Sequence, residues 1–536
     1  MSPSLRARLG SGLLGLALLV PIAAAAPASA AAADFPAGFT GYHTYAEMSA
    51  DLSAVAARYP AIARKIAIGK SYQGRTIWAV KISDNVATDE PEAEVLFDGG
   101  THGDEHMGLE MTLKIMHWLV DGYGTVSRIT NIVNSREIWI IPSVNPDGAA
   151  YDISGGRFHL WRKNRQPNAG TTAIGTDVNR NFGYRWGGGG RTSTNPAAIT
   201  YQGPFAFSTP EARSVRDFLA GRVVNGRQQI RMAITFHEYG RLVMWPYGYT
   251  TTDIPADMTV DDYKGLVAIG TKMAASNGYR AQQASDLYGT SGTTRDFEYG
   301  VYRIFSYTFE LSVKDYPDDA LIASETGRNK EAVLYLMERA GCPLGILGSA
   351  YRIARCGAFD DDFEVSRGWR VNMAGTDTAT AGAWQRGDPA PTTTAAGRKQ
   401  PDSVTSGRYG FATGLAAGTS PAANDLDGGR TSTTSPTIAL TASAGQKLQF
   451  RWSFAHDRTA SAVDEFRVEV LEGAIATAVF VSRGGAWERS ASWNLASIDM
   501  GRWAAKAIRL RFSATDGGGS GIVEAVFDDV RVTQPQ

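Results

Sequence analysis

Two kinds of apolar pattern alternate along the chain up to about residue 340. Apolar side chains recur at helical spacing from Tyr45 to Tyr59 and from Leu109 to Leu119, which predicts amphipathic helices. Short apolar runs typical of buried strands lie among them, such as Val95 to Phe97 and Met232 to Phe236. Strands that alternate with helices predict an α/β domain with a doubly wound mixed sheet, flanked by helices on both faces.

The pattern changes near residue 357. From Phe359 onward the chain is rich in Thr, Ser, Gly and Ala, and strand-like runs recur, among them Lys447 to Phe454 and Glu465 to Leu471. Such spacing predicts an antiparallel β-sandwich or jelly roll. Residues 372–424 look rich in loops. We therefore expect an α/β domain over residues 34–342, a linker over 343–357 and a β-sandwich accessory domain over 358–536.

The N-terminus has the pattern of a secretory signal peptide. Arg6 and Arg8 precede an apolar run from Leu13 to Val20, and Ala28-Ser29-Ala30 fits a cleavage site. We assign residues 1–33 to the signal and expect a secreted, extracellular protein. A permanent membrane anchor is the alternative, but the second half of the segment is only mildly hydrophobic. No stable membrane association is expected, since no other span of membrane length occurs.

Composition narrows the class of protein further. The formal net charge of −1 argues against a nucleic-acid partner, which normally requires a basic excess. The 43% hydrophobic content is sufficient for full globular cores. The two cysteines, Cys342 and Cys356, fall where the first domain is expected to end. A local disulfide is the expected state in an exported protein, with free thiols as the alternative.

A candidate metal site follows the first of the two apolar strands. His102-Gly103-Asp104-Glu105 comes directly after Val95 to Gly100, and His237 ends the second strand. Two imidazoles and one carboxylate form a catalytic zinc set with an open fourth position. The tetrapeptide alone is a weak signal, because such sequences often arise by chance.

Three further segments make the signal specific. Leu160 to Arg165, Asp177 to Phe182 and Ser306 to Leu311 follow in this order at long intervals. With the His-x-x-Glu motif and the Ile-Thr-Phe-His segment, this set resembles the zinc metallocarboxypeptidases of the carboxypeptidase A/B type, in a secreted bacterial form with an added C-terminal β domain. The resemblance covers about residues 40 to 340 and implies a carboxypeptidase-like catalytic domain.

The resemblance assigns a role to each matching residue. It implies that His102, Glu105 and His237 bind one zinc ion, that Glu310 is the general base toward a zinc-activated water, and that Arg162 stabilises the oxyanion. It also implies that Asn179 and Arg180 grip the terminal carboxylate of the substrate, that Tyr288 covers the bound terminus, and that Asp177 orients the first zinc histidine.

Arg295 falls on the family's specificity position at the floor of the substrate pocket. A guanidinium there suggests an acidic terminal side chain on the substrate. The rival interpretation is that Arg295 pairs with Asp296, Glu298 or Glu238 and leaves the pocket differently shaped. Glu238 adds a carboxylate directly after His237, where the digestive enzymes carry a small residue.

The C-terminal domain shows no catalytic constellation. Its segments Phe359 to Glu364 and Phe527 to Val530 resemble the terminal strands of jelly-roll modules, and their acidic side chains suit either a Ca²⁺ site or solvated turns. A carbohydrate or cell-surface contact through exposed tryptophans is one expectation, and core packing is the other. The tryptophans concerned are Trp369, Trp384, Trp487 and Trp493.

The leading hypothesis is a secreted zinc carboxypeptidase that acts on peptide or protein C-termini. A peptidoglycan-trimming peptidase or amidase on the same scaffold is the enzymatic alternative, for which Arg295 would also suit an acidic or diamino-acid terminus. An inactive binding module is the non-enzymatic alternative. Loss of catalysis would show as replacement of Glu310, Arg162 or a metal ligand, and all of these are present.

Overall fold

The computed structural model describes residues 35–533, apart from 91, 225–226, 349–356, 365, 406, 417–419, 421, 441, 443–444 and 518–520. The predicted signal peptide and Cys356 lie outside the described residues. Cys342 is disulfide-bonded. Among the helices within the described residues, none has both the length and the apolar character that crossing a membrane requires.

Helices form where the apolar spacing predicts them. The first two predicted helices are confirmed as α1 and α2, and α1 begins with a capping box in which Thr44 and Glu47 bond each other's backbone N–H. The α-helices are α1 (Tyr45–Arg58), α2 (His106–Gly122), α3 (Ser127–Val133), α4 (Pro146–Asp152), α5 (Pro210–Gly221), α6 (Val260–Asn277), α7 (Thr294–Tyr302), α8 (Ile322–Arg328) and α9 (Lys330–Arg339).

The first domain is built on one mixed sheet of eight strands. Its strands are β1 (Ala63–Lys70), β2 (Thr76–Ile82), β3 (Ala93–Asp98), β4 (Arg136–Ile141), β7 (Ile230–Glu238), β8 (Leu242–Trp245), β9 (Arg280–Gln283) and β10 (Phe305–Leu311), and a separate small ribbon joins β5 (Val223–Val224) to β6 (Arg227–Gln228). Their order in the sheet is β1-β2-β4-β3-β7-β10-β8-β9. The central strands β4, β3, β7 and β10 are parallel, and β1, β2 and β8 join them in antiparallel fashion.

Helices cover both faces of this sheet. On one face, α2 and α6 bury Met111 and Leu266 against the sheet in the main hydrophobic core. On the other face, Val215 of α5 and Phe297 of α7 pack in a second core. The α/β architecture expected from the apolar pattern is therefore confirmed.

The C-terminal region is an all-β sandwich, as predicted. Its strands are β11 (Phe359–Asp361), β12 (Arg370–Val371), β13 (Trp384–Gly387), β14 (Thr392–Thr394), β15 (Gly397–Gln400), β16 (Gly410–Thr413), β17 (Gly429–Thr434), β18 (Ile438–Ala439), β19 (Lys447–His456), β20 (Glu465–Glu472), β21 (Ile475–Arg483), β22 (Asn494–Asp499), β23 (Ala507–Asp516) and β24 (Val523–Thr533). Two antiparallel sheets run β13-β16-β24-β19-β22 and β12-β17-β23-β20-β21. Phe512 and Phe527 stack across them with ring centroids 4.1 Å apart.

The two domains meet at the side of the sheet where β4 begins. Asn134 Nδ2 donates to Glu364 Oε2 over 3.0 Å, and Arg136 borders a polar cavity of about 460 Å³ together with Asp360 and Asp362. The predicted linker starts with a 3₁₀ helix, Pro343–Leu347, which packs on the α/β core.

The acidic segments of the β-sandwich are used in internal hydrogen bonds. Asp361 accepts from Phe363 N at 3.0 Å and from Trp369 Nε1 at 2.8 Å, and Asp528 accepts from Thr405. Within the part of this domain that the structure describes, no group of three converging His, Cys, Asp or Glu side chains exists, so the Ca²⁺ prediction finds no support.

The tryptophans that we considered for a sugar-binding surface fall into two groups. Trp384 is buried and Trp369 packs against the core, as the core-packing interpretation requires. Trp493 is half-buried and donates to Ser403 O. Trp487 is 56% exposed, and carbohydrate contact there stays a prediction.

Candidate active site

Three neighbouring parallel strands deliver the candidate residues to one edge of the sheet. His102 follows β3, His237 lies near the end of β7, and Glu310 lies near the end of β10. Glu310 and His237 are register partners in the parallel pair. Ligands in α/β sheets bind outside the carboxyl ends of the strands, which is where these side chains meet.

The two histidines and Glu105 form a tight buried cluster. Glu105 Oε1 lies 2.7 Å from His102 Nδ1, and Glu105 Oε2 lies 2.7 Å from His237 Nδ1. The two Nδ1 atoms are 3.1 Å apart. Each residue offers one ligand atom, all within 4.8 Å of one another. Two imidazoles and a carboxylate at this spacing are a donor set that fits a divalent zinc ion.

The carboxyl of Glu105 is held in its ionised form within the cluster. Burial acts to raise the pKa of Glu105, but the imidazoles of His102 and His237 outweigh it and the pKa is lowered. The carboxyl is therefore ionised over the physiological range and available as a ligand. The turn between His102 and Glu105 packs closely against the backbone of Trp161. Glycine at position 103 allows this, because a Cβ there would lie 2.5 Å from Trp161 O.

Asp177 contacts both a histidine of the cluster and a neighbouring arginine. Its Oδ1 lies 3.2 Å from His102 Nε2, and its Oδ2 accepts from Arg162 Nε at 2.9 Å. Burial opposes ionisation of Asp177, but Arg162 and Arg180 outweigh it and hold the pKa well below the usual range. Metal-binding histidines usually have such a carboxylate on the second ring nitrogen, which fixes the tautomer.

The corresponding support for His237 was not predicted from the sequence. Its Nε2 lies 3.3 Å from Thr235 Oγ1, and Thr235 in turn donates to Asp98 Oδ1 at 2.8 Å. Thr235 is two residues before His237, so both side chains point to the same face of β7. This spacing is the signal that could have revealed it.

The half-buried guanidinium of Arg162 and the buried guanidinium of Arg180 face the same cavity, of about 410 Å³. Arg162 Nη1 lies 3.4 Å from Glu105 Oε1. Arg180 Nε donates to Arg191 O at 2.9 Å, and its Nη1 donates to Asn179 O at 2.8 Å. Tyr288 also lines this cavity. The residues predicted to stabilise the oxyanion and to bind the substrate's terminal carboxylate are thus brought together beside the candidate zinc ligands.

Glu310 lines this cavity as a half-buried carboxyl. Burial and the neighbouring Glu105 raise the pKa of Glu310 to about 8. The nearby His102, Arg162 and Arg295 act in the opposite direction. Perturbed carboxyls of this kind are common at catalytic sites.

Arg295 is buried at the wall of the cavity and is already partly paired. Its Nη2 lies 3.1 Å from Asp296 Oδ1, and its Nη1 donates to Thr308 Oγ1 at 2.9 Å. The rival interpretation, in which Arg295 pairs with Asp296, therefore describes this contact correctly. Arg295 still borders the cavity, together with Glu238.

A mixed α/β sheet with this cluster and the half-buried carboxyl of Glu310 at its carboxyl edge defines a metal-dependent hydrolase. The family model described as zinc carboxypeptidase matches residues 48–332. The chain belongs to the zinc carboxypeptidase family. It is therefore a metallocarboxypeptidase, a zinc-dependent hydrolase, as the sequence motifs predict.

Relatives agree with this assignment. A zinc carboxypeptidase of Saccharothrix mutabilis subsp. capreolus is 46% identical over 320 residues, which is 59% of this chain and 73% of the relative. Carboxypeptidase B of Astacus astacus is 33% identical over 282 residues, 51% of this chain and 87% of the relative. The crystal structure of thrombin activatable fibrinolysis inhibitor has 26% identity and a TM-score of 0.51, and the match covers 56% of this chain and 74% of that one.

Proposed function

We propose that the chain is a secreted carboxypeptidase that removes the last residue of peptides, with Glu310 as general base and a preference for acidic terminal residues. The observation that carries the mechanism is the register of Glu310 with His237, which sets a half-buried carboxyl beside the candidate zinc ligands. Secretion is supported by the signal-like pattern of the N-terminal sequence.

His102, Glu105 and His237 would hold a zinc ion. When bound, that ion would supply Lewis acidity and lower the pKa of a water molecule to about 7. Glu310 accepts the proton of the attacking water at its carboxylate and then passes it to the leaving amine. Glu310 must be ionised to do so, and positive charge bound at the cluster would lower its raised pKa toward the ordinary range.

The two guanidinium groups have different roles, one toward the reacting carbonyl and one toward the substrate terminus. Arg162 donates to the carbonyl oxygen as negative charge develops there, held in place by its bond to Asp177. Arg180 binds the free carboxylate of the substrate with Asn179, because a planar guanidinium matches a carboxylate in bidentate geometry. Tyr288 closes over the bound terminus.

The acidic preference rests on Arg295. Its guanidinium lines the cavity, and of the two neighbouring acids Asp296 is shared with the backbone N–H groups of Gly248 and Tyr249. Burial raises the pKa of the second acid, Glu298, to about 8, so Glu298 cancels little of the positive charge at neutral pH. The site therefore keeps positive charge where a terminal side chain would lie.

The test is hydrolysis of blocked dipeptides by the zinc-loaded protein and its Glu310→Gln variant. We expect chelator-sensitive release of the last residue, restored by zinc, and a loss of kcat of about 10²- to 10⁴-fold in the variant with zinc content unchanged. Glu298→Gln is the matched control, since it changes another carboxyl whose pKa is raised to about 8 and which accepts a hydrogen bond from Ser306. Full activity of Glu310→Gln would exclude Glu310 as the base.

A further inference from the structure

The glycine-rich loop before Arg191 lies directly against the segment that carries Tyr288. Arg191 N donates to Gly289 O over 2.7 Å. Gly190 has a φ of +75°, and a Cβ at this position would lie 2.2 Å from Gly289 O. Only glycine allows this approach, so residues 187–190 form a surface loop that fixes Arg191 next to Tyr288.

The side chain of Arg191 lies on the ring of Tyr288. Its guanidinium carbon is 4.8 Å from the ring centroid, within the range of a cation–π contact. Arg191 is exposed and lines the mouth of the cavity. Stacking uses the face of the guanidinium, so the contact restrains the ring without consuming N–H donors.

The same loop also touches the residue that would bind the terminal carboxylate. The carbonyl of Arg191 accepts from Arg180 Nε at 2.9 Å. Tyr288 lines the same cavity as Arg180. Arg191 thus contacts both residues, through its backbone carbonyl to Arg180 and through its side chain to the ring of Tyr288.

We propose that Arg191 is a positioning residue, which holds the ring of Tyr288 at the mouth of the cavity and so strengthens binding of the substrate terminus. The proposal rests on the proposed role of Tyr288 as the residue that covers the bound terminus. The substrate carboxylate binds Arg180 while the ring of Tyr288 stays on Arg191. Arg191 then limits how far the side chain of Tyr288 moves. Tyr288 therefore loses less conformational freedom when the substrate terminus binds.

The expected effect is small but measurable. A cation–π contact at an exposed site corresponds to about a two- to fivefold change in an equilibrium constant. Arg191→Ala should raise KM by roughly this factor and leave kcat within about twofold, because the contact orders the bound state without touching the reacting bond. Arg191→Lys should recover part of the effect, since an ammonium also binds an aromatic face.

The experiment is steady-state hydrolysis of one blocked dipeptide by the zinc-loaded full chain. Arg191→Ala is made in the wild type, in Tyr288→Phe and in Tyr288→Ala. The rise in KM should persist with Phe, which keeps the ring, and disappear with Ala, which removes it. Arg185→Ala is the matched control, because Arg185 is an exposed arginine of the same segment that stacks on Tyr249 at 4.8 Å.

Each outcome has one meaning. An unchanged KM in Arg191→Ala, or an equal rise in the Tyr288→Ala background, would overturn the positioning role. An equal rise in Arg185→Ala would show a general effect of surface charge and would also overturn it. Absence of peptide hydrolysis by the wild type would instead refute the proposed function, so the two failures are distinguishable.

Discussion

Replacement of Arg295 by methionine separates charge from shape in the substrate pocket. Methionine has a similar length and no charge, and the change removes the donors to Asp296 and Thr308. Asp296 would then lose its cationic partner while it remains buried. A second variant, Arg295→Met with Asp296→Asn, avoids this uncompensated carboxylate and serves as the folding control.

The size of the effect follows from the contacts of the guanidinium. A hydrogen bond to a charged group contributes about 1.5 to 3 kcal/mol, which corresponds to about ten- to hundredfold in kcat/KM. Asp296 already takes part of the donor capacity of Arg295, with contacts of 3.1 and 3.2 Å. We therefore expect the lower end, about tenfold, for a terminal Glu over the nearly isosteric Gln.

The assay compares kcat/KM for two blocked dipeptides that differ only in a terminal Glu or Gln. The wild type should favour Glu, and both Arg295 variants should cleave the two peptides equally. Thermal unfolding verifies that each variant is folded. The reasoning fails if the wild type shows no preference for Glu, or if the preference survives in a folded Arg295→Met variant. Either result would leave the carboxypeptidase activity itself untouched.

Two further predictions concern zinc affinity and the domain junction. Asp177→Asn should weaken zinc binding by about 10- to 100-fold in competition with a chromogenic chelator, because an amide no longer supports His102 as a carboxylate does; unchanged affinity would contradict this. Burial raises the pKa of Glu364 to about 7, so its stabilising contribution is complete below the unfolded value near 4.5 and is lost as pH rises through 7. The melting temperature should therefore fall between pH 5 and pH 8, by roughly 2–4 °C more in the wild type than in Glu364→Gln, and equal falls would refute the assignment.

The sequence predicted those parts of the site that are tied to regular elements. His102 and His237 are found because each ends an apolar run, and strand ends are where side chains converge in such a sheet. Thr235 was within reach by the same logic, since it lies two residues before His237. The register that pairs Glu310 with His237 was not, because the two strands are far apart in sequence and their pairing depends on the whole sheet.

Contacts between irregular segments were beyond sequence reasoning. Arg191 and Tyr288 lie in loops without periodicity, and their contact depends on the close approach of Gly190 to Gly289. The partner of Arg295 was open among three acids, and only the tertiary arrangement selects Asp296. Residues 372–424 were predicted to be rich in loops, yet they contain the short strands β13 to β16. Strands of three or four residues give little alternation to detect.

The β-sandwich joins the α/β domain at the start of β4, whereas the candidate active-site residues lie beyond the opposite ends of the parallel strands. The six residues of β4 alone separate these two edges by about 20 Å. Anything that the sandwich holds is therefore kept behind the catalytic domain, and the route by which peptide ends arrive stays clear. Tethering through this domain would control where the enzyme works without changing which chain ends it can accept.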